Sequence, residues 1–267
     1  MKRAQQIVLA AVVGFCLSEV NQVDCNLALG APAPEVEGTP AVIGRSVEGR
    51  PIHCRVFGSG EDVLMIIATI HGNEAAGTPL VEQFALWLAA HPSELEGRRV
   101  VIVPVANPDG LAADERLNAR GVDLNRNFPA GNWNEPDSKP HGDAPLSEVE
   151  SRLLLRLILR YFPNRIISIH QPVTCIDYDG PAEQFAAAMG AHCKLPVKRI
   201  GSRPGSLGSF FGLTLGKPII TFELPKDAGM DGKQLWQQYG PALIAALRYR
   251  VADEPALTGK TGQSADH

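Results

Sequence analysis

The chain has 267 residues, 45% hydrophobic and 20% charged, a balance that suits a soluble globular fold with a sizeable core. Its net charge is −4 and no run of Lys and Arg is long enough to follow a phosphate backbone, which excludes nucleic acid as the expected partner. The five cysteines are scattered and spell neither a disulfide framework nor a Cys-type zinc site.

Met1-Lys2-Arg3, the apolar run Ile7 to Leu17 and the small residues of Ala28-Leu29-Gly30 follow the order of an export signal, so residues 1–30 are expected to be a signal peptide. The alternative is a buried N-terminal helix. The run is too short to span a bilayer, so no membrane span is expected in the mature chain. Cleavage would put the protein in the periplasm or outside the cell; a retained segment would leave it in the cytoplasm. Loss of Lys2, Arg3, Glu19 and Asp24 leaves the net charge at −4. Cys16 and Cys25 would go with the signal, and a bridge between Cys175 and Cys193 is conceivable but not predicted.

Residues 31–40, Ala-Pro-Ala-Pro-Glu-Val-Glu-Gly-Thr-Pro, cannot hold regular structure and read as a linker. Val42 to Val47 and Ile52 to Phe57 flank the turn composition Glu48-Gly49-Arg50-Pro51, which predicts a hairpin. The run 63–70 is apolar without alternation and predicts a strand buried on both faces. Leu80, Val81, Phe84 and Leu88 then recur at helical spacing up to Ala90, and Arg99 to Ala106 predicts a second buried strand closed by a turn at Asn107-Pro108-Asp109-Gly110. Strand, helix, strand in this length is a βαβ unit, so the architecture is α/β with part of the sheet parallel.

Leu111 to Leu146 reads as a long loop, of the kind that carries function. Ser147-Glu148-Val149-Glu150 has the capping-box pattern ahead of a helix through Tyr161, with Ser147 as N-cap and Glu150 reaching back. Arg165 to His170 predicts a strand, Pro181 to Cys193 a helix, Lys217 to Glu223 a strand closed by Pro225, and Gln234 to Val251 a final helix. One domain is expected over 41–251, with a polar tail over 252–267. Nothing in the pattern specifies an oligomeric state.

His71-Gly72-Asn73-Glu74 follows a buried strand at its C-terminal end, where open α/β sheets place ligand sites. An imidazole and a carboxylate three residues apart can converge on one ion. The spacing alone is weak, since His91-Pro92-Ser93-Glu94 repeats it in a polar connection, where both residues are expected to be solvated. A catalytic zinc needs a third protein ligand, and His170 at another strand end supplies it, giving the set His71, Glu74 and His170. Glu223 ends a strand between Phe222 and Leu224 and suits a general base with its pKa raised by apolar neighbours. Asn125 and Arg126 suit an anchor for a substrate carboxylate, unless Arg126 forms an internal salt bridge with Asp123. Arg116 and Arg120 are both candidates to stabilise an oxyanion.

His71-Gly-Asn-Glu74, Asn107-Pro-Asp-Gly110, Asn118-Ala-Arg-Gly-Val-Asp-Leu-Asn-Arg-Asn-Phe-Pro129, His170 and Phe222-Glu223 resemble, in the same order, the zinc carboxypeptidase family typified by pancreatic carboxypeptidase A. Within it the chain is most similar to bacterial murein peptide amidases, which cleave between the γ-carboxyl of D-glutamate and diaminopimelate. The resemblance spans about residues 42–250. It implies a three-layer α/β/α domain with a mixed, largely parallel sheet, one zinc per chain on His71, Glu74 and His170, Glu223 as base, and Asn125 and Arg126 on the terminal carboxylate. By spacing, Arg116 matches the family's oxyanion arginine better than Arg120. The digestive members carry a Tyr ahead of the catalytic Glu that is missing from Lys198 to Gly212, which leaves side-chain preference open.

The expected activity is hydrolysis of a peptide or isopeptide bond next to a free carboxylate, by Glu-assisted attack of metal-activated water. The substrate is a peptide or murein peptide. The alternative is a zinc N-acyl amino acid deacylase of the aspartoacylase or succinylglutamate desuccinylase type, which shares the H-G-N-E and Asp-Leu-Asn-Arg patterns. A non-catalytic peptidoglycan-binding protein is disfavoured by the intact ligand set. There is no G-x-S-x-G and no P-loop.

Overall fold

Residues 37–133 and 140–251 are described by the computed structural model. The expected signal peptide, most of the linker and the polar tail lie outside the described residues. The strands are β1 (Ala41–Arg45), β2 (Pro51–Phe57), β3 (Asp62–Ala68), β4 (Arg98–Val103), β5 (Arg165–His170), β6 (Val173–Asp179), β7 (Val197–Lys198) and β8 (Ile219–Pro225). The helices are α1 (Gly77–Ala90), α2 (Pro108–Ala113), α3 (Val149–Tyr161), α4 (Glu183–Gly190) and α5 (Gly232–Arg248), with a single wide helical turn over Gly208–Thr214.

The strands form one eight-stranded sheet in the order β1-β2-β4-β3-β5-β8-β6-β7. β4, β3, β5 and β8 run parallel, while β1, β2 and β6 pair antiparallel, so the sheet is mixed with a parallel centre. Both faces of that centre are covered, which explains the unalternating run of β3. Leu64, Ile66, Ala68, Ile167, Ile169, Ile220 and Phe222 pack under α1, α4 and α5. Val63, Met65, Ile67, Ile166 and Ile219 pack on the opposite side under α3 and the loop residues Leu124, Phe128 and Leu146. Each such aliphatic side chain removed from water stabilises the fold by about 1.5–3 kcal/mol. The result is the expected three-layer α/β/α arrangement.

A fully buried arginine ties one of these layers to the sheet. Arg165 pairs with Asp62 and donates to the carbonyls of Ala246 (3.1 Å) and Leu247 (3.0 Å), satisfying orphan acceptors at the end of α5.

The structure corrects several local expectations. The capping box does not form: Glu148 occupies the N-cap without a side-chain cap bond, and Ser147 Oγ donates to its carboxylate at 2.9 Å. Glu150 is drawn inward, where its carboxylate accepts from Val47 N (3.2 Å) and Asn118 Nδ2 (3.3 Å). Asn118 Nδ2 also donates to Glu148 Oε2 at 2.8 Å, and burial pushes the Glu150 carboxyl above its ordinary pKa. The Asn107-Pro-Asp-Gly segment is not a plain turn. Asn107 Oδ1 accepts from Gly110 N at 2.9 Å and caps α2, with Pro108 in the first turn.

Strands β6 and β7 were not expected. The helix expected over Pro181 to Cys193 is only α4, and the expected strand over Lys217 to Glu223 is shifted to Ile219–Pro225. Cys54, Cys175 and Cys193 are free thiols. Among the described residues, no helix is long and apolar enough to cross a membrane.

Candidate metal centre and active site

Three strand ends and one turn assemble the site. Thr69, in the left-handed region at φ 51°, breaks β3 and turns the chain into Ile70-His71. His71 O accepts from Glu74 N at 3.1 Å, which brings both side chains of the turn to one side. Between them Gly72 lies against the backbone of α2: a Cβ there would sit 1.9 Å from Gly110 C. His170 ends β5, and the β5–β8 register sets it opposite Glu223.

His71, Glu74 and His170 are buried, and their ligand atoms all lie within 4.8 Å of one another. His71 Nδ1 is 2.9 Å from Glu74 Oε1, His170 Nδ1 is 2.9 Å from Glu74 Oε2, and the two Nδ1 atoms are 3.2 Å apart. The far nitrogens are committed elsewhere: His71 Nε2 meets Asp123 Oδ1 at 3.0 Å and His170 Nε2 meets Ser168 Oγ at 2.9 Å. A carboxylate only accepts, so with a cation on Nδ1 the His71 proton would sit on Nε2, facing Asp123. Two imidazole nitrogens and a carboxylate converging from buried positions fit a cation. Zn–N bonds of about 2.0–2.1 Å put tetrahedral ligand atoms roughly 3.3 Å apart, so the spacing suits zinc.

Charge and burial work against each other here. Burial alone would lower the His71 pKa, but Asp123 and Glu74 outweigh it and raise it. Burial would raise Glu74, and bonds from His170 and His71 reverse the sign, holding the carboxyl far below its ordinary range. Asp123 is likewise held down, against burial, by His71 and then Arg116.

Arg116 reaches this cluster. Its Nη1 donates to Glu74 Oε1 at 2.7 Å, and its Nε and Nη2 donate to Asp123 Oδ2 at 3.2 and 3.0 Å. Three of its five N–H groups are thus engaged, and two remain for another acceptor. Arg120 is exposed, and its backbone amide is tied to Asn118 Oδ1.

The salt bridge weighed for Arg126 with Asp123 does not form, because both Asp123 oxygens are taken by His71, Arg116 and Asn125 N. Arg126 donates to Asn125 O at 2.6 Å and forms no ion pair among the described residues. Burial, and the nearby charges of Arg116 and Arg203, hold its pKa below the ordinary value despite Asp123. Asn125 Oδ1 accepts from Leu207 N at 2.9 Å, which leaves its amide N–H groups as donors.

Glu223 is half-buried, and burial raises its carboxyl pKa against the opposing pull of His170. Val173 N donates to its Oε2 at 3.2 Å, which leaves Oε1 without a protein partner among the described residues. The second H-x-x-E pair is elsewhere. His91 stacks on Trp87 at 4.4 Å, and Glu94 pairs with Arg248.

Residues 39–189 match the family model described as zinc carboxypeptidase. The chain belongs to the zinc carboxypeptidase family. Murein peptide amidase A of Escherichia coli K12 is 32% identical over 227 residues, covering 79% of this chain and 90% of the relative. The human carboxypeptidase N catalytic chain is 33% identical over 152 residues, covering 43% of this chain and 33% of the relative. Among solved structures, the murein-tripeptide amidase of Escherichia coli O157 superposes with a TM-score of 0.62 at 28% identity, covering 83% of this chain and 98% of that one. Carboxypeptidase A of Helicoverpa armigera superposes with a TM-score of 0.65 at 20% identity over 78% of this chain and 68% of that one, a likeness of fold. Membership makes the protein a hydrolase of the carboxypeptidase class, and the deacylase alternative is not favoured. Glu223 lies beyond the residues that match the family model.

Sequence reasoning missed Asp123 as the partner of His71, Ser168 as the partner of His170, and Gln171, whose backbone N donates to Glu74 Oε2 at 3.1 Å. The signal for Asp123 was available: a metal-ligating imidazole needs an acceptor on its other nitrogen, and a buried Asp beside the Asn-Arg pair supplies one.

Proposed function

We propose that this chain is a zinc-dependent amidase that hydrolyses the bond next to a residue with a free carboxylate, with the γ-D-glutamyl–diaminopimelate bond of murein peptides as its substrate. The observation that carries this reading is the convergence of His71 Nδ1, His170 Nδ1 and the Glu74 carboxylate beside the raised carboxyl of Glu223. The similarity to murein peptide amidases over most of both chains supports the choice of substrate.

His71, Glu74 and His170 would hold one zinc ion, which when bound polarises the scissile carbonyl and acidifies water. Asp123 fixes the metal-bound tautomer of His71, and Asp123 and Ser168 hold the ring orientations of the two imidazoles. Glu223 takes a proton from the attacking water at Oε1, since Oε2 is occupied by Val173 N–H, and passes it to the leaving nitrogen. The two remaining N–H groups of Arg116 stabilise the negative charge that develops on the carbonyl oxygen; one such donor is worth about 2.7–4 kcal/mol. Arg126 grips the terminal carboxylate with its planar fork, and the Asn125 amide adds a donor. The half-buried charge of Arg126, which has no ion-pair partner among the described residues, gives that carboxylate its binding energy.

The test is a panel of metal-loaded protein with a murein tripeptide, its C-terminal amide, ordinary C-terminal peptides and an N-acyl amino acid. Turnover is expected for the tripeptide and not for its amide. Turnover of the N-acyl amino acid alone would overturn the assignment.

A further inference from the structure

We propose that Gln171 is a positioning residue that sets the separation between Glu74 and Glu223. Both ends of its side chain are used. Oε1 accepts from Ala76 N at 3.1 Å, just past the His71–Glu74 turn. Nε2 donates to Pro225 O at 2.9 Å and to Lys226 O at 3.4 Å, just past Glu223. The orientation of the amide follows from these partners, since an N–H needs an acceptor and the two carbonyls need a donor.

The backbone around Gln171 repeats the same bridge. Gln171 N donates to Glu74 Oε2, and Val173 N, two residues on, donates to Glu223 Oε2. A three-residue segment thus touches one carboxylate at each end and cross-links the turn after β3 to the end of β8. These two elements are not sheet neighbours, because β5 separates them. Sheet pairing fixes Glu223 against His170 but fixes Glu74 against neither. Gln171 ties the two segments directly, beside the Glu74–His170 contact, and no other side chain among the described residues bonds to both the Ala76 and the Pro225 backbones.

This inference rests on the assignment of Glu223 as base, so the experiment includes Glu223→Gln alongside Gln171→Glu and Gln171→Met in the full chain. Gln171→Glu keeps an acceptor for Ala76 N–H but turns a carboxylate oxygen toward the carbonyls of Pro225 and Lys226, acceptor against acceptor. It should retain about one zinc per chain and a near-wild-type melting temperature, and lose kcat by roughly 10- to 100-fold with KM nearly unchanged. Gln171→Met removes both ends at similar volume. It should show the same split and, in the zinc-free protein, faster amide hydrogen exchange at Ala76 with exchange in β3 unchanged.

Wild-type kcat in Gln171→Glu would overturn the proposal, as would a loss of kcat that only tracks lost zinc or lost folded protein. If Gln171→Met does not fold, Gln171→Glu decides alone. Full activity in Glu223→Gln would instead remove the base assignment, a failure distinct from that of Gln171.

Discussion

Replacing Asp123 tests whether the carboxylate behind His71 prepares the metal site. Its oxygens accept from His71 Nε2 (3.0 Å), Asn125 N (2.9 Å), and Arg116 Nε and Nη2 (3.2 and 3.0 Å). Arg116 is partly exposed and can recruit water, but His71 and Asp123 are almost wholly buried. With a cation on Nδ1, His71 must keep its proton on Nε2, so Asp123→Ala leaves a buried donor unsatisfied in the metal-bound protein, at about 1–3 kcal/mol. Without the cation the imidazole can move its proton to Nδ1 and donate to Glu74, so the cost falls mainly on the bound state. At about 1.4 kcal/mol per factor of ten, zinc affinity should fall by roughly 10- to 100-fold in Asp123→Ala. Asp123→Asn keeps an oxygen for His71 and Asn125 N but turns an NH2 toward Arg116, so its loss should lie near the lower end. Competition against a chromophoric chelator measures both dissociation constants, and calorimetry checks the fold. An alanine variant that binds zinc within about twofold of the wild type would refute the tautomer argument.

Glu223→Gln should keep about one zinc per chain by elemental analysis while losing most turnover; retention of full activity would remove Glu223 from the mechanism. Arg126→Ala should raise KM for substrates with a free carboxylate far more than for their amides, and equal losses on both would sink the anchor. Because burial raises the Glu223 carboxyl above its ordinary 4.5 and a base must be deprotonated, kcat/KM should fall on acidification with a limb above pH 4.5; a limb at or below that value in the pH–rate profile contradicts the assignment. Gly72→Ala, whose Cβ would overlap Gly110, should lower both zinc content and melting temperature.

The parallel centre of the fold was legible because Val63–Ala68 of β3 and Val100–Val103 of β4 are continuous apolar runs, and continuous runs mark strands covered on both faces. The helix after Glu74 was legible because Leu80, Val81, Phe84 and Leu88 lie on one buried face. Strand β6 was not recognised, although Ile176 and Tyr178 alternate with Cys175, Asp177 and Asp179 in it. Two buried aspartates on one face look like loop composition until their partners are known: Asp177 Oδ1 accepts from Ile200 N at 2.8 Å, holding the segment after β7. Glu150 misled for the same reason, since its local pattern names a cap and only the fold brings Val47 and Asn118 to it. At the site, sequence order and strand ends pointed to His71, Glu74, His170, Asn125, Arg126 and Glu223; the structure brings the first three within 4.8 Å and sets Glu223 opposite His170. The supporting hydrogen bonds of Asp123, Ser168 and Gln171 depend on side-chain direction across distant strands, which residue spacing does not encode.

The pairing of β5 with β8 has a further consequence. Phe222 packs under α5 while its neighbour Glu223 faces the cluster, and Ile169 and His170 divide in the same way. A slip of one residue along that ladder would drive the carboxylate into the apolar layer and expose the phenyl ring. The same alternation that seals the core therefore proofreads the site. A chain with these strands mispaired would lose its hydrophobic seal and its chemistry in one step, and bound metal would report that His71 and His170, 99 residues apart, had found each other in the correct frame.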